Sequence, residues 1–272
     1  MSTAEPLPHA EGIRIAGVTK RFERRGQVVE ALGGVDLDIA EGELVTLIGP
    51  SGCGKSTLLR IIGGLLGHDA GSVTIGRCTP DQARAEKHFG FVPQAPALLP
   101  WRTVLDNVTL LGELNRRNAR PHQSPDPRAL LAEVGLAEFA NAHPSELSGG
   151  MQQRVALARA VALGSPVLLM DEPFAALDEI TRSEMRYLLL EVWERTGATC
   201  LFITHSVEEA VLLSDRVAVM TPRPGRIAHV ETIGLPRPRT TGVEDQPEFH
   251  AHVAAIRRTL RGSPPTSGVT PR

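Results

Sequence analysis

Cysteine is scarce: Cys53, Cys78 and Cys200 are three in 272 residues, far apart and without a paired spacing. That excludes a disulfide framework and a cysteine-based zinc site, and it fits a reducing compartment. Surplus charge is lacking too, since 29 Lys and Arg face 31 Asp and Glu for a formal net charge of -2, and the longest basic block, Lys20 to Arg25, is short. The balance argues against whole-surface attraction to nucleic acid. No apolar run reaches the roughly 18 residues of a membrane-spanning helix, and the candidate LLRIIGGLLG is interrupted by Arg60. The N-terminal MSTAEPLPHAEGIRI lacks the basic-then-apolar order of a secretory signal. There is no internal repeat. These absences predict a soluble chain, and they leave docking onto a membrane protein open.

What is present is apolar content, 42% of residues, sufficient for a sizeable core in one large or two small domains. From Ile13 to Ile39 the segments IRIAGV and VVEALGGVDLDI alternate with charged and glycine turns, as in an antiparallel sheet. ELVTLIG, Glu43 to Gly49, reads as a buried strand and KSTLLRIIGGLL as the helix after it. PVLLM (Pro166 to Met170) and ATCLFIT (Ala198 to Thr204) supply two more strands, with helical EMRYLLLEVWERTG and SVEEAVLLSD around them. Strands alternating with helices predict an α/β fold with a mostly parallel sheet. Between about Ala95 and Leu163 the pattern turns helical and is broken by NRRNARPHQSPDP, which predicts a helical subdomain inserted into the core. The tail GSPPTSGVTPR has too few apolar residues to offset the entropy of ordering and is expected to be disordered.

GPSGCGKST, Gly49 to Thr57, follows a strand and opens a helix. Its glycines let backbone N–H groups turn inward around phosphate, and the helix N-terminus adds a positive dipole end. Lys55 would reach the β and γ phosphates of a nucleotide and Ser56 would ligate Mg²⁺. Cys53 is expected to contribute backbone, with a thiol that the helix N-terminus could make acidic and oxidisable. The strand VLLMDEP ends in two acids: Asp171 can hold Mg²⁺, and Glu172 is placed to orient or deprotonate an attacking water. His205, closing LFITH, is a candidate contact for the γ phosphate, with a surface histidine as the alternative.

A second glycine turn starts at Ser148, a good N-cap, followed by Gly149, Gly150 and the helical MQQRVALARAVAL. One nucleotide is already held by the first loop. The second turn therefore suits a nucleotide held by another copy, each ATP lying between Lys55 of one subunit and Ser148 of the other in a two-fold pair. The alternative is an ordinary N-cap with a packing diglycine.

LSGGMQQR resembles the signature of ATP-binding-cassette (ABC) ATPases. The glycine loop, Gln94 in FVPQ, LLMDEP, ALD at Ala176 to Asp178 and THS at His205 stand in that family's order across most of the chain. The resemblance implies a P-loop ATPase with a RecA-like parallel-sheet core, an N-terminal antiparallel β subdomain and an inserted helical subdomain. On this reading residues 12–240 form the ATPase domain, with the helical part at about 95–163. A short helical extension at 241–262 and a disordered tail at 263–272 follow.

It further implies a nucleotide site of Phe22, Gly49, Pro50, Ser51, Gly52, Cys53, Gly54, Lys55, Ser56 and Thr57, completed across a homodimer by Ser148, Gly149, Gly150, Gln152 and Asp178. Phe22 falls where the family stacks an aromatic on adenine; a core phenylalanine is the alternative. Mg²⁺ is assigned to Ser56, Gln94 and Asp171, and catalysis to Glu172, His205, Gln94 and Lys55.

A stand-alone cassette without coiled-coil or zinc inserts resembles importer ATPases whose permease is a separate chain. QAPALLPWRTVLDNV, DEPFAALDEITR, THSVEEAVLLSDRVAVM and TPRPGRI are similar to the nitrate, sulfonate and taurine group, which includes uptake systems for thiamine precursors. Ala95 replaces the usual glutamate after Gln94, and Ala175 the usual glycine or serine. The implied partners are an integral-membrane permease and, indirectly, a periplasmic or lipid-anchored solute-binding protein, with no nucleic acid. The implied location is peripheral, on the cytoplasmic face of the inner membrane. ALLPW is expected to edge a groove for a short helix of the membrane partner, the alternative being that Trp101 fills the subdomain's own core. PRPG, Pro222 to Gly225, reads as a hairpin turn. A soluble ABC ATPase acting on nucleic acid or ribosomes is the runner-up, and a small-molecule phosphotransferase a third reading.

Overall fold

The computed structural model describes residues 12–24, 26–114 and 125–262. Strands β1 (Ile13–Arg24) and β2 (Gln27–Ile39) form an antiparallel hairpin in which Phe22 lies opposite Val29. Then come β3 (Leu44–Ile48), α1 (Lys55–Ile62), β4 (Ala70–Ile75), α2 (Pro80–Ala85) and β5 (Phe89–Val92). A helical stretch contains α3 (Val104–Leu114), α4 (Pro127–Glu133) and α5 (Gly149–Ala162). The chain returns to the sheet with β6 (Val167–Asp171), α6 (Glu179–Thr196), β7 (Thr199–Ile203), α7 (Val207–Leu213), β8 (Arg216–Met220) and β9 (Ile227–Thr232), and ends in α8 (Pro247–Gly262).

Two sheets result, one of three strands in the order β2-β1-β4 and one of six in the order β5-β6-β7-β3-β8-β9. In the larger sheet only β9 runs antiparallel to its neighbour. Strand β3 lies inside the sheet and every residue of it is buried, which explains its mostly apolar sequence, with Thr46 hydrogen-bonded to the Ser214 hydroxyl. Alternation along the strands sorts their side chains into two cores. Val45, Leu47, Leu169 and Leu201 face α1 and the antiparallel sheet, packing with Ile13, Ile15 and Val35. Leu44, Ile48, Leu168, Met170 and Phe202 face the other way, toward Val108, Leu131, Val155, Leu189 and Ile256. Each fully buried Leu or Ile contributes about 1.5–3 kcal/mol.

Three strands of the larger sheet, β5, β8 and β9, were not among the expected ones: β5 has only four residues and β9 is largely open to solvent. Helix α6 begins at Glu179, earlier than the apolar pattern implies, because Asp178 caps it: its carboxylate accepts from the Thr181 N–H (3.0 Å) and hydroxyl (2.7 Å). The expected tail at 263–272 and most of the interruption after Leu114 lie outside the described residues.

Candidate active site

The phosphate-type loop between β3 and α1 is shaped by the space around it. Gly54 has φ +111°, and a side chain there would stand 2.7 Å from Leu32 Cδ2, so only glycine fits. Lys55 is 4% exposed and donates to the carbonyls of Gly49 (2.9 Å) and Pro50 (3.3 Å), which fixes its ammonium within the loop. The Ser56 hydroxyl donates to Asp171 Oδ1 at 2.8 Å, joining the start of α1 to the end of β6. Directly after β6, Glu172 takes a left-handed backbone, φ +48°, and donates its N–H to Ile203 O at 3.0 Å. A non-glycine residue held there stores about 1–3 kcal/mol. The twist turns the Glu172 carboxylate to His205, whose Nε2 lies 2.6 Å from Oε1.

These groups converge on an open cleft of about 470 Å³, lined by Phe22, Ser51, Gly52, Gly54, Lys55, Ser56, Thr57, Gln94, Glu172 and His205. Lys55 and the N-terminal end of α1 favour a polyanion. The Phe22 ring, 39% exposed, offers an aromatic face at the rim. Ser56 and Asp171 together present hard oxygen donors suited to Mg²⁺. The cleft also contains Val29, Ala31 and Arg223, which the sequence reading missed because they reach it from β2 and the β8–β9 hairpin.

For Cys53 the structure departs from the acidic-thiol alternative alone. Its thiol is 1% exposed, and burial, opposed by the nearby Lys55 charge, raises its pKa instead of lowering it. It is a packed side chain and not an acidic, oxidisable thiol.

The second glycine turn is built as a separate cluster that does not line the cleft of its own chain. Ser148 caps α5, its hydroxyl accepting from the Met151 N–H at 3.3 Å, and Gln152 donates to the carbonyls of Pro144 (3.0 Å) and Leu147 (3.3 Å). The two glycines differ. A methyl on Gly150 would lie 2.5 Å from Thr181 Cγ2, whereas one on Gly149 would meet nothing within 4 Å. Gly150 is thus a packing glycine, Gly149 faces open space, and the exposed Asp178 stands nearby at the start of α6. In Asp178 the hydrogen bonds from Thr181 hold the carboxyl below its ordinary pKa.

Trp101 is 73% exposed, so it does not fill a subdomain core. The reason is Asn107, fully buried, which accepts from the Leu99 N–H (2.8 Å) and donates to the carbonyls of Leu99 (3.1 Å), Arg102 (3.2 Å) and Thr103 (2.9 Å). This clamp fixes the loop with the indole outside.

Residues 32–175 match the family described as ABC transporter. The chain belongs to that family. Its fold is the α/β ABC ATPase cassette, with a parallel sheet flanked by a small antiparallel one. As a member of the ABC ATPases it is an ATP-hydrolysing enzyme. Among curated relatives, the aliphatic sulfonates import ATP-binding protein SsuB 1 of Xanthomonas axonopodis pv. citri is 44% identical over 92% of this chain and 93% of its own. The taurine import ATP-binding protein TauB of Rhizobium johnstonii is 48% identical over 75% of this chain and 77% of its own. A solved structure, the dimeric post-hydrolysis state of the ATP-binding cassette MJ0796 bound to ADP and Pi, superposes with a TM-score of 0.70. That cassette is 35% identical and covers 81% of this ABC chain and 98% of its own. Among the described residues no helix is long and apolar enough to cross a membrane.

Proposed function

We propose that this ABC ATPase is the motor subunit of an importer for a small solute of the nitrate, sulfonate, taurine or thiamine-precursor type, acting through a separate permease on the cytoplasmic face of the inner membrane. The observation that carries the reading is that one chain holds two phosphate-suited glycine turns, of which only the first lines its cleft. The second, with an open Gly149 and an exposed Asp178, suits the nucleotide of a partner copy. The dimeric cassette and the sulfonate and taurine import relatives support the same assembly.

In this reading Phe22 stacks on the adenine, the loop from Gly49 to Thr57 wraps the phosphates, and Lys55 neutralises their charge. Ser56, Asp171 and Gln94 would hold Mg²⁺, which supplies further neutralisation of the phosphate oxygens. Glu172 accepts a proton from the attacking water, and His205, against its carboxylate, holds that group in place and contacts the γ phosphate. ATP closes two copies through contacts that the open state does not make, so binding shifts the equilibrium. The exposed Trp101 and the fixed ALLPW loop form the face for a helix of the permease, and a solute-binding protein acts through that permease.

Glu172→Gln tests this. The variant is expected to bind ATP, to lose about 10²–10⁴ in hydrolysis rate, and to stay paired with its partner copy. A pull-down of the tagged variant with ATP and Mg²⁺ from detergent-solubilised host membranes should recover a multi-span permease. Recovery of soluble proteins or nucleic acid alone, from protein that binds ATP, would overturn the importer assignment.

A further inference from the structure

The hairpin joining β8 and β9 is more than a turn. Gly225 donates its N–H to Ala31 O at 3.0 Å and accepts from the Gly33 N–H at 3.0 Å, which ties the hairpin to β2. On its other side a methyl group would stand 2.1 Å from the Cys53 carbonyl oxygen, so the hairpin backbone lies directly against the phosphate loop. Its own closure is double: the Thr221 N–H donates to Arg226 O (2.9 Å), and the Arg226 N–H donates to Thr221 Oγ1 (3.0 Å).

From this fixed tip Arg223 crosses to the loop, where Nε donates to Gly52 O at 2.7 Å. Its Nη2 lies 2.7 Å from where a Gly52 side chain would begin, and its side chain lines the cleft with Phe22, Lys55 and Glu172. A guanidinium carries five N–H donors in a rigid fork. Anchoring through Nε leaves the two terminal nitrogens to serve the cleft. Lys55, by contrast, already donates to two carbonyls of the loop.

We infer that Arg223 is a nucleotide-binding residue whose terminal guanidinium nitrogens donate to the phosphate chain, with the Gly52 carbonyl setting its reach. The inference rests on the nucleotide reading of the cleft. It makes affinity depend on how many phosphates the ligand has, because a guanidinium pairs with phosphate oxygens through paired, charge-assisted hydrogen bonds. It also makes lysine a poor substitute, since an ammonium cannot hold Gly52 and a phosphate with the same fork.

The test measures binding by calorimetry, not turnover. Dissociation constants for ATP, ADP and AMP are determined for the wild type, Arg223→Ala and Arg223→Lys, with thermal unfolding recorded for each. Arg223 is exposed, so both variants are expected to fold. Loss of a charged hydrogen bond predicts about tenfold to hundredfold weaker ATP and ADP binding in Arg223→Ala, a smaller change for AMP, and partial recovery in Arg223→Lys. Unchanged ATP and ADP affinities in Arg223→Ala would overturn the inference while leaving the cleft assignment standing. Equal losses for all three ligands, with a lowered melting temperature, would also overturn it by making Arg223 a structural brace. A wild type that binds none of the three would sink both readings.

Discussion

Arg159, buried in α5, donates to Ala97 O at 2.9 Å and to Pro96 O at 2.7 Å. The helix capped by Ser148 thereby holds the segment that follows Gln94, so the second glycine turn and the cleft are joined through one side chain. Burial lowers the Arg159 pKa from a value so high that the group stays charged. We predict that Arg159→Met, which leaves two carbonyls without their donor, lowers stability by about 1.5–3 kcal/mol. Hydrolysis by the isolated dimer should persist while its response to the permease falls. Comparing ATPase rates in solution and in proteoliposomes with the permease checks this, and an unchanged response would show that the link carries nothing.

The two glycines of the turn should separate stability from pairing. Gly149→Ala meets no atom and sits at the first residue of α5, so it should change stability by less than about 0.5 kcal/mol. Its ATP-driven pairing, followed by light scattering, should weaken because the methyl stands on the open face. Gly150→Ala drives into Thr181 and should cost about 1–3 kcal/mol. Adding Thr181→Ser removes the clashing methyl yet keeps the hydroxyl that bonds Asp178, and should restore the melting temperature.

Trp101→Ala should change stability by less than about 0.5 kcal/mol, since the ring is exposed. The same variant should recover much less permease in the membrane pull-down. Undiminished recovery would place the docking face elsewhere.

Glu209 gives a pH dependence. It is 4% exposed, and burial, partly offset by the Thr204 hydrogen bond and by Arg186 and Arg182, raises its carboxyl pKa. A raised pKa means the folded state binds the proton more tightly, so this contribution is full below the ordinary carboxylate range and is lost as pH rises through the folded value. Glu209→Gln stays neutral throughout. Its melting temperature relative to the wild type should match near about pH 4 and rise above it toward about pH 8. A gap that does not vary with pH would remove Glu209 as the cause.

The local part of the site was legible because strand, glycine loop and helix follow one another in the chain: Gly49 to Thr57 needs no distant residue to be recognised. Asp171 and Glu172 were legible for the same reason, as the end of an apolar strand. Arg223, Arg159 and Asn107 were not, because each acts on backbone that only folding brings near. The acidic alternative for the Cys53 thiol does not hold, since proximity to a helix N-terminus can be read from sequence and the burial that outweighs it cannot. Trp101 fell between two readings until Asn107 decided the path of its loop.

Strand β3 is wholly buried, and its two neighbours in the sheet are β7 and β8. Both come from far down the chain. At about 5–20 residues per second of synthesis, the roughly 150 residues between β3 and β7 take about 8–30 s to emerge. For that interval the ribosome displays an apolar strand with neither edge covered, directly ahead of the phosphate loop. Such a segment is prone to pair with a neighbouring nascent chain. Yield in the cell should therefore be limited by how well this strand is shielded during translation, a demand that the stability of the finished protein does not reveal.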